Sequence, residues 1–163
     1  RAEMEALARE TGESVNLAVP LGREALYLDQ VEGTKLVRLF TAPGSRAPLH
    51  ATGVGKVFLA YLGVPEGLSL TPYTPHTLTR LPDLLRELEA VRGRGYALDN
   101  EEKELGVRCV AAPVFGASGG VVAALSLSAP ASRLSLEEAH RLAPRVVEAA
   151  RRASLRLGYT GEV

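Results

Sequence analysis

The sequence predicts an α+β domain in which an antiparallel sheet is flanked by helices. Three observations carry this. Residues 107–115 and 121–127 are nearly unbroken apolar runs, rich in Val, separated by Gly116-Ala117-Ser118-Gly119; they read as a hairpin of strands covered on both faces. Residues 14–19 and 24–31 flank Pro20-Leu21-Gly22-Arg23 and read as a second hairpin. Helical periodicity fills the stretches before, between and after them.

Taken in order, residues 2–11 predict a short helix with Met4, Leu7 and Ala8 on one face and Gly12 as its stop. In the first hairpin Val15, Leu17 and Val19 share one side, and Leu26 and Leu28 pair on the returning strand. Residues 35–40 read as a third strand and 41–50 as a loop. Residues 52–62 follow as a helix offering Val54, Val57, Phe58 and Tyr61 to the core. Residues 66–77 are irregular and proline-rich. Residues 83–92 are amphipathic through Leu84, Leu85, Leu88 and Val91, with a short strand next at Tyr96. Ser135-Leu136-Glu137-Glu138 has the form of a capping box, and its helix reaches about Leu157 with Pro144 as a predicted kink. The apolar stripe of that helix is wide: it either meets a second subunit or lies deep in its own domain.

The long hairpin places specific side chains together. With a four-residue loop, Phe115 opposes Gly120, Cys109 opposes Ser126 and Val107 opposes Ser128. Opposed residues share a face, so Val107, Cys109, Ser126 and Ser128 form one small, partly polar patch. Val121, Ala123, Leu125 and Leu127 then form the apolar face behind it. An even loop keeps this grouping and an odd one breaks it. The patch reads either as the floor of a pocket or as small side chains filling space with their hydrogen bonds satisfied.

Composition excludes several classes. The 163 residues carry 19 basic and 19 acidic side chains, so the charge balance points neither to nucleic acid nor to an anionic membrane as direct partner. No apolar run is long enough to span a bilayer. The single Cys rules out an internal disulfide and a multi-cysteine zinc site, and a cytoplasmic protein is the simplest account. Leu49-His50-Ala51-Thr52-Gly53-Val54-Gly55-Lys56 is not a Walker loop, since neither Ser nor Thr follows Lys56. It does open a helix on small residues, with free N–H groups that favour an anion over Gly53 and Val54; the plain alternative is a tight helix start capped by Thr52. In the acidic run Asp99-Asn100-Glu101-Glu102, an ordinary solvated turn as a charge pattern, Asp99 is the member nearest the hairpin. Cys109, His50 and Asp99 lack a diagnostic metal or nucleophile spacing, so no cofactor is assigned and an enzyme using Cys109 is the weakest reading.

The chain resembles the effector-binding domain of IclR-type bacterial transcription regulators. Three segments carry the likeness: Leu49-His50-Ala51 with Gly55-Lys56 and Leu59-Ala60; residues 92–108 with Gly95-Tyr96, Asp99, Glu101-Glu102 and Gly106, then Cys109; and Ala111-Ala112-Pro113-Val114-Phe115 with Ala124-Leu125-Ser126-Leu127-Ser128 and Pro130. The resemblance implies a GAF-like fold over residues 1–163, no enzymatic activity, and a homodimer or tetramer. DNA would be bound only through a winged helix-turn-helix that this chain, opening abruptly at Arg1, lacks. In relatives that bind small oxo-acids, the positions carried over as ligand contacts are Gly53, Val54, Asp99, Val107, Cys109, Ser126 and Ser128, with Leu36, Leu39 and Ala47 as an apolar wall. Four of these are the patch drawn from strand register. Val54 is bulkier than the Ala of some relatives. Asp99 beside an anionic effector must be protonated, face a ligand hydroxyl, or sit behind water. The effector class stays open between oxo-acids and aromatic acids. The alternative is an oligomerisation module with a structural zinc or no ligand.

Overall fold

A computed structural model describes residues 1–34 and 42–161. Its elements are α1 (Ala2–Thr11), β1 (Ser14–Leu21), β2 (Glu24–Val31), β3 (Arg46–Pro48), α2 (Gly53–Leu62), α3 (Leu81–Arg94), β4 (Ala97–Asn100), β5 (Val107–Phe115), β6 (Val121–Pro130) and α4 (Leu136–Arg156). The strands form one antiparallel sheet in the order β3-β2-β1-β6-β5-β4. The expected α+β class is therefore the observed one. The strand expected at residues 35–40 lies outside the described residues, and the stretch expected as a loop contributes the short β3.

Helices cover both faces of the sheet. On one side α1 and α4 bury Met4, Leu7, Ala139, Ala143 and Val146 against Val110, Ala112, Leu125 and Leu127. On the other, α2 and α3 bury Val54, Val57, Phe58, Leu84 and Leu88 against Ala97, Ala111 and Ala124. At roughly 1.5–3 kcal/mol for each large apolar side chain taken from water, these two layers dominate the stabilising side of the balance. Ser135 caps α4 by accepting a hydrogen bond from the Glu138 N–H at 3.0 Å. Leu85, expected on a buried stripe, is exposed.

Two strand readings need correction. On β2 the buried side chains are Ala25 and Tyr27, which face the α2 layer, whereas Leu28 is 50% exposed. On the long hairpin the register differs by two residues: Cys109 opposes Ser128, Ala111 opposes Ser126 and Val107 opposes Pro130. The loop holds five residues, 116–120, closed by the Gly116 N–H donating to the Gly120 carbonyl. That odd count would turn Ser126 and Ser128 away from Cys109. A bulge restores the parity, because Phe115 pairs with Val121 and Val114 with Ala123, leaving Val122 unpaired. Val121, before the bulge, joins the α2 layer instead of the face carrying Ala123, Leu125 and Leu127.

The pairing beyond the bulge thus decides which face the β6 hydroxyls occupy. Deleting Val122 leaves Phe115 opposite Val121 and Val114 opposite Ala123 in an unbroken ladder, so Ser126 and Ser128 should keep their face. One Ala inserted between Ala123 and Ala124 should instead turn both toward the apolar α4 layer, at a loss of roughly 2–4 kcal/mol from two hydroxyls buried without partners. Val122→Thr, at the exposed bulge position, should change stability by less than about 0.5 kcal/mol. Urea unfolding monitored by circular dichroism measures all three.

Candidate functional site

The pleat brings one row of polar side chains across four adjacent strands. Ser14 of β1 opposes Ser128 of β6, Ser128 opposes Cys109 of β5, and Cys109 opposes Asp99 of β4. All four therefore share a face, the one turned toward α2. Cys109 Sγ lies 3.1 Å from Ser128 Oγ, and the Asn16 side-chain amide donates to the same hydroxyl at 3.4 Å. Asp99 and Ser128 are 4% and 2% exposed.

This row borders a cavity of about 170 Å³. Asp99, Val107, Cys109 and Ser128 line it from β4, β5 and β6, and Tyr27 and Ala47 from β2 and β3. Thr52, before α2, closes one side, and Ser45, Arg46, Lys103 and Glu104 rim it. The volume is several times the roughly 30 Å³ a water takes in the liquid. It is below the roughly 300 Å³ at which pockets for drug-sized ligands begin.

The other expected contacts lie differently. Gly53 rests on the sheet: a Cβ there would sit 3.1 Å from the Ala111 Cβ and 3.8 Å from the Cys109 Cβ. Its backbone is thus beside the row, but neither Gly53 nor Val54 lines the cavity, and the Val54 side chain is buried in the α2 layer. Ser126 lies one row deeper, opposite Asn16 and Ala111, and is not part of the cavity wall. Leu36 and Leu39 lie outside the described residues. Tyr27 and Thr52 join the wall without having been expected there. Thr52 Oγ1 donates to the Pro48 carbonyl and accepts from the Gly55 N–H, which leaves the first two amides of α2, Gly53 and Val54, without an acceptor in the helix. Gly55 is required for close approach, since a Cβ would come within 2.4 Å of the Leu49 carbonyl oxygen.

The acidic turn is held by a buried ion pair. Lys56 Nζ donates to both Glu102 oxygens at 2.9 and 3.0 Å, and the side chains are 1% and 8% exposed. Glu102 Oε2 also accepts the Asn100 N–H at 3.0 Å, and the Glu102 N–H donates to Asp99 Oδ1 at 2.8 Å. Thr77 Oγ1 donates to the Glu102 carbonyl at 2.6 Å and Thr74 Oγ1 to that of Glu101 at 2.6 Å. The turn is therefore not merely solvated: both Asp99 and Glu102 point inward. Burial first, then the Glu102 carboxylate, push the Asp99 pKa up to about 7, against backbone N–H groups and Lys56, which pull it down. Burial, then the Asp99 charge, also push the Cys109 thiol up, which keeps it protonated and a poor nucleophile at neutral pH. His50 turns elsewhere: its Nε2 donates to the Thr71 carbonyl at 2.8 Å, and its ring is tilted against Tyr73. Among the described residues no three His, Cys, Asp or Glu side chains are grouped to hold a metal ion.

Removing one partner of the Lys56–Glu102 pair strands a buried charge. Lys56→Met should cost roughly 3–5 kcal/mol, and adding Glu102→Gln should recover about half or more of that. Chemical denaturation of the two variants and the parent chain measures the recovery.

Comparison with known proteins completes the description. Residues 1–155 match the family model described as bacterial transcriptional regulator IclR C-terminal. The chain is 40% identical over 159 residues to the HTH-type transcriptional regulator XynR of Escherichia coli K12, covering 94% of this chain and 63% of XynR. It spans about half to two thirds of the length of the relatives it matches. The crystal structure of Thermotoga maritima IclR superposes with a TM-score of 0.89 at 37% identity, over 97% of this chain and 66% of that one. A double mutant of the inducer-binding domain of PobR from Acinetobacter, in complex with 3-hydroxybenzoic acid, gives 0.84 at 27% identity over 94% of both chains. The sheet order, the two helical layers and these matches lead to one assignment: the chain belongs to the IclR family of bacterial transcriptional regulators and spans their C-terminal effector-binding domain.

Proposed function

We propose that the cavity between the Ser128–Cys109–Asp99 row and the start of α2 binds a small organic acid, and that the bound acid controls DNA binding by a winged helix outside this chain. The observation that carries the reading is one compact cavity lined both by that row and by Thr52, the residue directly before the first amides of α2. Helix-start amides and hydroxyls are donors suited to a carboxylate. The volume of about 170 Å³ favours an acid of few heavy atoms, such as an oxo-acid. An aromatic acid, such as the 3-hydroxybenzoic acid held by the double mutant of the PobR inducer-binding domain, is the runner-up.

A route from the site to the N-terminal end of the domain supports the regulatory half of the proposal. Ser14, opposite Ser128, opens β1 directly after α1. Between them Glu13 accepts from Arg133 at 2.7 and 3.0 Å, tying the turn to the segment after β6. A ligand that shifts β6 relative to β1 moves the base of α1, and its effect is bounded by its difference in affinity for the two arrangements. Homodimer or tetramer formation belongs to the same proposal.

Calorimetric titration with glyoxylate, pyruvate and 3-hydroxybenzoate tests the site. At least one acid should bind, and Ser128→Ala should weaken it roughly tenfold, the usual scale for losing one hydrogen bond to a charged group. Ser118→Ala, in the exposed hairpin loop, should leave affinity unchanged. Equal affinities in the two variants would place the ligand elsewhere.

A further inference from the structure

The charges around the cavity do not balance for an anionic guest. Among the described residues Lys56 is the one buried Lys or Arg, and both its contacts go to Glu102. From β4, Asp99 brings a carboxyl group that accepts from the Glu102 and Lys103 backbone N–H groups and feels Lys56 at a distance, with no cation in contact. From β5 and β2 the facing titratable groups are Cys109 and Tyr27, both neutral at ordinary pH because burial pushes their pKa values up. From β3 and the turn, Arg46, Lys103 and Glu104 stand at the rim, where all three are exposed. Arg46 pairs there with Glu24, and the Lys103 ammonium sits over the Tyr73 ring. The interior thus holds one paired ion couple and one further carboxyl group. An ionised Asp99 beside a carboxylate ligand would put two anions in one buried space, which strongly raises one of their pKa values.

We propose, resting on the reading of the cavity as an acid-binding site, that it takes up a small carboxylate monoanion together with one proton, and that Asp99 carries the proton. The protonated Asp99 then donates its O–H to the ligand, alongside the Ser128 hydroxyl and the α2 amides. No covalent bond changes: the proton comes from solvent and returns to it on release. In the free domain burial and then the Glu102 carboxylate push the Asp99 pKa up to about 7, so its charge changes across the neutral range. Binding should therefore be nearly independent of pH below about 6 and weaken about tenfold per pH unit above about 8.

The test is calorimetry of this chain with glyoxylate, pyruvate and 3-hydroxybenzoate, at about pH 6 and about pH 8, in buffers of different ionisation enthalpy. All three carboxylates are ionised over that range. The expected result is uptake of about one proton per ligand at the higher pH and little at the lower. Asp99→Asn, which keeps the acceptor for Glu102 and offers an N–H in place of the O–H, should bind with no uptake and no pH slope. Binding by the parent chain without proton uptake overturns the inference and leaves the site reading standing. Uptake that persists in Asp99→Asn overturns it as well. If that variant fails to fold, carboxyl ¹³C spectra of the labelled parent chain decide: the sequence has three aspartates, Asp29, Asp83 and Asp99, and the Asp99 signal must move to its protonated position when ligand binds. Failure of every acid to bind at either pH overturns the site reading itself, and this inference with it.

Discussion

The buried Lys56–Glu102 pair is the interaction on which the site depends. A lysine inside an otherwise apolar helix costs several kcal/mol of desolvation unless a matched anion meets it. Glu102 meets it with both oxygens, and the same residue uses its N–H on Asp99 and its carbonyl on Thr77. One residue therefore binds α2, the turn after β4 and the 70s loop into one unit. That unit fixes the distance between the start of α2 and the strands, and with it the hollow between them. The pair also engages the one buried cation among the described residues, so that Asp99 borders the cavity with backbone N–H groups but no cation in contact. Shape and charge of the site follow from the same contact.

The second constraint is parity. A row of side chains across four strands exists only if every pairing keeps its face. β1 joins β6 without a break, β2 keeps Tyr27 on that face through a bulge that leaves Leu28 unpaired, and β6 keeps its hydroxyls there through the unpaired Val122. Asn16, Ser126 and Ser128 are polar groups inside a sheet covered on both sides, and Asn16 links to Ser128 and to Gln30, whose amide donates to the Asn16 side-chain oxygen at 3.1 Å. Their hydrogen bonds make the polar strip tolerable between two apolar layers.

Much of this was legible in the sequence because strand parity and helix capping are local. Cys109 and Ser128 fall on one face under any even shift, so a register wrong by two residues still groups them. The same error misplaces Ser126 by one row, and nothing in an apolar run signals that Val122 is left out of the ladder. Leu26 and Leu28 looked like the apolar face of β2 because Leu is more hydrophobic than Ala or Tyr. The sheet instead buries Ala25 and Tyr27, since α2 lies over that face. The Lys56–Glu102 pair had a signal, a lone charge in a ten-residue apolar helix. Its partner, 46 residues away among several acids, is set by tertiary packing alone. The relatives at 37–40% identity supply the family and the fold, while the side-chain roles rest on the geometry of this chain.

The most direct measurement is a crystal structure of this domain with whichever acid it binds most tightly. The account predicts ligand density against Asp99, Cys109 and Ser128, with the carboxylate reaching the amides of Gly53 and Val54 and the Lys56–Glu102 pair intact. Density elsewhere, such as the groove where α1 meets Pro144 and Arg145 of α4, with the interior hollow unchanged, would contradict it.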